Sequence, residues 1–197
     1  FCARPGLHVT SVSTWWPKQM QYNPKDLEKA LGLFRRAADQ YKGSATYQYD
    51  LVDLARQVMA NHARDVYAAA MQAYRNKDAE LLHEKGEAFM HLLQLQDRLL
   101  QTDTHFLLGN WLEQAANYGV TAADKQQALH NAKMLITYWG PDSAATRVHD
   151  YANKEWAGLL KSYYEPRWQK FFHALYQSVH TGEMPHIDFF AMEKLWA

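Results

Sequence analysis

The chain is 197 residues long, 48% hydrophobic and 21% charged, a balance that suits one globular domain with a sizeable core. Lys plus Arg and Asp plus Glu number 21 each, so no charge excess favours nucleic acid or an anionic membrane surface. Cys2 is the single cysteine, which excludes an internal disulfide and a cysteine-built zinc site, and no apolar run approaches the ~20 residues that a membrane-spanning helix needs.

Residues 1–17 mix β-branched and aromatic side chains with alternating polarity (LHVTSVSTW), which predicts an extended lead-in with room for one strand. A single strand is not stable by itself, so a partner sheet is expected upstream. The chain begins at Phe1 without Met and shows no secretory signal pattern, and it is read as a fragment or a processed product. Asn23 followed by Pro24 then marks a helix start, with Leu27, Ala30, Leu31 and Phe34 at helical spacing.

Lys42-Gly43-Ser44 interrupts that pattern. A long amphipathic stripe follows from Leu51 to Ala73, and Asp78 caps a third helix with Leu82, Phe89, Leu93 and Leu100 on its buried side. Thr102 or Thr104 starts a fourth helix, which ends with Gly119 at C′. Thr121 to Asp124 resembles a capping box for a fifth, predicted to run to about Trp139 and to stop at Gly140-Pro141. A sixth is expected from about Asp150 toward Tyr163. Pro166 opens a seventh, which Gly182 and Pro185 end, and Asp188 to Trp196 form a short last one. With no fixed repeat period, the expectation is an all-α bundle of about seven to eight helices with a short extended lead-in. The lead-in spans residues 1–22 and the helical domain residues 23–197.

Several residue groups invite a chemical reading. His83, Glu87 and His91 share a helix face but span ~12 Å of axis at 1.5 Å per residue, too far to converge on one metal ion, so they read as a solvated face. Asp50 and Asp53 resemble paired acids, yet Arg56 at i+3 makes Asp53 an ordinary helix ion pair, with a weak interdomain role left open. No serine stands in a Gly-x-Ser-x-Gly setting and no glycine-rich phosphate loop occurs, so neither a hydrolase nucleophile nor a cofactor is expected. Gly109, inside an amphipathic helix, reads as a point of close helix packing. Trp139 at a helix stop and Tyr151 at the next start are either interhelix packing or the wall of a pocket; an aromatic face with a hydroxyl handle suits a sugar ring.

The blocks LLGNWLEQA, TYWGP, DYANKEWAGLL and YYEPRW, in that order, resemble the C-terminal helical domain of the α-N-acetylglucosaminidases of glycoside hydrolase family 89. YQYDLVDLARQVMAN resembles the first long helix of that domain, and CARPGL the segment that leaves its catalytic barrel. The resemblance covers nearly the whole chain, Cys2 to Trp196. It implies a retaining glycosidase that removes terminal α-linked N-acetylglucosamine, with two glutamates ~5–5.5 Å apart. Both belong to an upstream (β/α)8 barrel, so no catalytic residue is expected here and the chain alone is expected to be inactive. Carried over by motif, Trp139, Tyr151 and Val148 are implied to line the sugar subsite. The stretch between WGP and DYANK is a few residues longer here than in some family members. The implied partners are the barrel and an N-acetylglucosamine-containing glycan; the implied location is lysosomal, periplasmic or secreted. The rival reading is a stand-alone helical interaction module without a pocket.

Overall fold

A computed structural model of the chain describes residues 1–10, 20–140, 143 and 148–197, and the statements below concern those residues. Eight α-helices occur among them: α1 (Pro24–Arg36), α2 (Ala38–Tyr41), α3 (Ala45–Arg75), α4 (Ala79–Leu100), α5 (Leu108–Asn117), α6 (Ala122–Leu135), α7 (Glu165–Thr181) and α8 (Phe189–Trp196). The all-α bundle expected from periodicity is therefore present.

The scaffold is the α3–α4 hairpin with α7 laid against it. Ser44 caps α3 and Asp78 caps α4, each accepting a backbone N–H from the first turn. Only three residues separate the two helices, and Lys77 takes a left-handed φ of 56° to make the reversal. On α4, Leu82, Gly86, Phe89, Leu93, Gln96, Asp97 and Leu100 are buried, a stripe of alternating three- and four-residue steps. α7 answers with Trp168, Phe171, Phe172 and Leu175. Phe89 sits at the centre, its ring 4.5 Å from Trp168, 5.4 Å from Phe172 and 5.3 Å from Phe1. Close approach is made at Gly86, where a Cβ would stand 3.3 Å from the Phe172 ring. Gly109, expected to do this, is exposed and has open space beside it.

Other expectations change for local reasons. The first helix breaks at Ala37 into α1 and α2, and α1 buries no residue completely; it leans on α3 through the stacked Phe34 and Tyr47 rings. α5 is preceded by a 3₁₀ turn (Thr104–Phe106) capped by Asp103, not by Thr102 or Thr104. Gly119 lacks a left-handed φ; it is small because a Cβ there would meet Lys125 at 2.4 Å. The Thr121–Asp124 capping box forms as expected, but α6 ends at Leu135, four residues before Trp139. Pro141 lies outside the described residues.

The expected strand is absent from residues 1–10, and the rest of it falls on residues 11–19, outside the described part. Side chains, not a sheet, satisfy this backbone. Tyr67 Oη donates to the Gly6 carbonyl and accepts from the Val9 N–H, Trp168 Nε1 donates to the Phe1 carbonyl, and Arg167 donates to the Cys2 carbonyl.

The expected helix from Asp150 to Tyr163 is also corrected. Residues 148–158 form turns and irregular chain, and helix resumes only at Leu159. Asp97 of α4 decides where: its carboxylate accepts the N–H groups of Gly158 (2.8 Å) and Lys161 (3.3 Å), capping the new helix from across the bundle. A π segment, Leu160–Tyr164, then leads into α7, so Pro166 sits in the first turn of α7 and does not follow a break.

Candidate functional site

The candidate site lies on the crossover between α6 and α7. Trp139 N–H donates to the Met134 carbonyl and closes the end of α6. Asp150 N–H donates to the Thr137 carbonyl at 2.7 Å, tying the chain before Trp139 to the chain before Tyr151. Tyr151 N–H then bonds the Val148 carbonyl, and Asn153 donates both its backbone and side-chain N–H to the Asp150 carbonyl. Farther on, Ala157 exchanges backbone bonds with Phe106 and Leu108 and anchors the far end.

This clamp brings two of the expected residues face to face. The Trp139 and Tyr151 rings stack at 4.6 Å with 10° between their planes. The indole is half-buried, whereas Tyr151 is 44% exposed. Val148 supplies the carbonyl that starts the Tyr151 turn, and its side chain is half-buried. Three non-glycine residues among those described have positive φ, and two of them bracket this stack: Trp139 at 24° and Asp150 at 59°. Such conformations cost of order 1–3 kcal/mol each and persist only where their surroundings enforce them.

Asp150 is held by a buried charge cluster that sequence reading missed. Arg167 is 1% exposed and Asp150 and Glu193 are fully buried. Arg167 Nη1 donates to Asp150 Oδ2 (3.1 Å) and to Glu193 Oε1 (2.7 Å), while Nη2 donates to the Cys2 carbonyl (3.0 Å). Arg4 binds both Glu193 oxygens, so two cations meet two anions. The guanidinium also lies over the Tyr163 ring at 4.2 Å. Burial pushes the Asp150 carboxyl up from its usual range, against the pull of Arg167 in the other direction. For Arg167 burial works against the charge, but Asp150, Tyr163 and Glu193 together hold its pKa above the ordinary value. Burial also pushes the Cys2 thiol up to about 12. The signal was present in the sequence: Arg167 falls between Tyr163 and Phe171 at i±4, a charged residue on an apolar stripe.

The other candidates stay apart. His83, Glu87 and His91 are exposed along the outer face of α4. Asp53 pairs with Arg56 at 2.6 Å as expected, and Arg56 reaches on to Glu155 at 2.5 Å, tying α3 to the crossover. This triad lines a cleft of about 860 Å³ with Tyr22, Asn61 and Trp156; neither Trp139 nor Tyr151 lines it. Glu155 and Glu193 are thus held by arginines.

The whole chain, residues 1–197, matches the model of the α-N-acetylglucosaminidase (NAGLU) C-terminal domain family. It is 38% identical over 180 residues to human α-N-acetylglucosaminidase, covering 91% of this chain and 23% of that protein. A family 89 glycoside hydrolase from Clostridium perfringens, solved in complex with PUGNAc, superposes with a TM-score of 0.93 at 34% identity, over 98% of this chain and 22% of that one. The same organism's enzyme in complex with its substrate GlcNAc-α-1,4-galactose gives a TM-score of 0.94, again at 34% identity, over 99% of this chain and 23% of that one. The chain therefore spans about a quarter of the length of the relatives it matches.

Proposed function

Because the chain belongs to the α-N-acetylglucosaminidase C-terminal domain family, we propose that it serves a retaining glycosidase acting on terminal α-linked N-acetylglucosamine, as one wall of the sugar pocket. The bond-breaking glutamates belong to an upstream (β/α)8 domain in this reading, and Trp139, Tyr151 and Val148 face the sugar that they act on. The observation that carries it is the Trp139–Tyr151 stack, half-buried at the indole and exposed at the phenol, built at a backbone cost at Trp139 and Asp150. A surface pair of this kind offers a flat apolar face to the C–H side of a pyranose and a phenol hydroxyl to its polar rim. The match to only part of much longer glycosidases supports a domain of a larger enzyme over a stand-alone module.

The wall breaks no bond. It excludes water, fixes the ring and orients the anomeric carbon toward the upstream carboxylates, and positioning of this kind lowers barriers by several kcal/mol. In the full-length enzyme, Trp139→Ala and Tyr151→Ala should each raise KM and lower kcat for a chromogenic α-N-acetylglucosaminide, by about tenfold to a hundredfold in kcat/KM, with the melting temperature retained. Wild-type kinetics in both variants would remove the pair from the site. The 197-residue chain alone should not hydrolyse that substrate; turnover by it would overturn the division of labour.

A further inference from the structure

We infer that Arg167 is a positioning residue for the sugar wall, setting the Trp139–Tyr151 stack in place relative to the leading segment from which an upstream domain would extend. The inference rests on the reading of that stack as the wall, and it names what aims it.

Arg167 joins the two parts directly. One nitrogen, Nη1, holds Asp150, the residue immediately before Tyr151, and the other, Nη2, holds the carbonyl of Cys2. The neighbouring Trp168 holds the carbonyl of Phe1, so two consecutive residues of α7 grip two consecutive residues of the leading segment. Arg4, two residues past Cys2, returns to the cluster through Glu193 of α8. The wall and the leading segment thus meet at a buried junction.

The geometry at Asp150 explains how the junction acts on the wall. Its side chain points inward to Arg167 while the next ring, Tyr151, points outward, and the left-handed φ of 59° makes that reversal. Asp150 Oδ1 and Arg167 Nε are buried without a hydrogen-bond partner among the described residues. A junction chosen for stability alone would satisfy these atoms or replace the charges with apolar groups, because buried ion pairs seldom stabilise more than well-packed hydrophobic residues do. What the charge pair does supply is direction, since a two-nitrogen fork fixes both partners at once.

The test is a double-mutant cycle in the full-length enzyme with a chromogenic α-N-acetylglucosaminide. Arg167→Lys keeps the charge but cannot serve both Asp150 and Cys2 as a planar fork. It should raise KM about tenfold while kcat stays within about threefold, the size of effect expected when a positioned group shifts by a fraction of an ångström. In a Tyr151→Ala background the same substitution should change KM by less than about twofold, because its effect passes through Tyr151. An unchanged KM for Arg167→Lys alone, or an equal KM factor in both backgrounds, overturns the inference. If Arg167→Lys does not accumulate, Asp150→Asn, which keeps the shape and removes the charge, decides the same cycle by the same criteria. A Tyr151→Ala enzyme with unaltered KM would instead sink the wall itself, so the two failures are told apart.

Discussion

The α3–α4 hairpin and the α6–α7 crossover sit side by side and are held by opposite means. The hairpin is regular helix with an apolar seam, in which Leu82, Phe89, Leu93 and Leu100 are almost wholly buried. The described part of the crossover has little regular structure, and polar contacts tie it down: the Thr137–Asp150 and Asn153–Asp150 bonds, the Asp97 cap and the Arg167 cluster. Apolar burial is non-directional and gives the larger stabilisation; hydrogen bonds and charge pairs add little net stability but specify where atoms stand. In this domain the first holds the fold together and the second aims the residues proposed to meet the sugar.

That contrast can be broken by separating stability from kinetics. Leu93→Ala in the hairpin removes a fully buried side chain and should cost about 2–5 kcal/mol, read by denaturant unfolding, while KM at a temperature where the enzyme stays folded does not move. A large rise in KM would show that the hairpin also aims the wall.

A smaller effect should appear at Cys2, whose thiol meets the crossover at the Lys154 carbonyl, 3.9 Å away. Its raised pKa, about 12 against the usual 9.0, means that the folded state favours the protonated thiol. That contribution is whole below pH 9.0 and is lost as pH rises toward about 12, so Cys2→Ala should flatten the alkaline fall in stability. At pH 8, iodoacetamide followed by peptide mass spectrometry should find Cys2 at least about a hundredfold slower to react than in unfolded protein, and modified before the α4 amides exchange. Labelling that waits for global unfolding would make the two regions equally stable.

The smallest effect concerns the first turn of α6, which leads into the crossover. Asp124 accepts the Thr121 backbone N–H, and this holds its carboxyl below the usual 3.8. The sign is that of a depressed acid: the cap stabilises above pH 3.8 and its contribution is lost as pH falls through the folded value. Helicity followed by circular dichroism should therefore decline slightly below about pH 4 and decline less in Asp124→Asn.

Much of the fold was legible because it is written in local terms. Asn23-Pro24, Asp78, the Thr121–Asp124 box, Gly182 and Asp188 stand at helix ends in the sequence and in the structure, since caps need only a side chain and the next turn. Trp139 and Tyr151 were singled out by their setting beside a helix stop, their assignment to a sugar subsite came from motif resemblance, and nothing in their spacing revealed that they stack. The misread segments have one thing in common. Besides local turns, residues 148–158 and 1–10 place backbone groups on partners dozens to more than a hundred positions away, such as Asp97, Tyr67 and Arg167.

The sequence by itself determined an all-helical domain, most of its caps and its apolar seams, because helix periodicity and capping act within a few residues along the chain. Only the tertiary structure decided that helix would fail from Asp150 to Gly158, that Gly86 and not Gly109 would meet a neighbour, and that Arg167 would join the leading segment to Asp150. Those outcomes depend on side chains that meet from far along the chain, Asp97 with Gly158, Phe172 with Gly86 and Arg167 with Cys2, and the local pattern does not specify such partners.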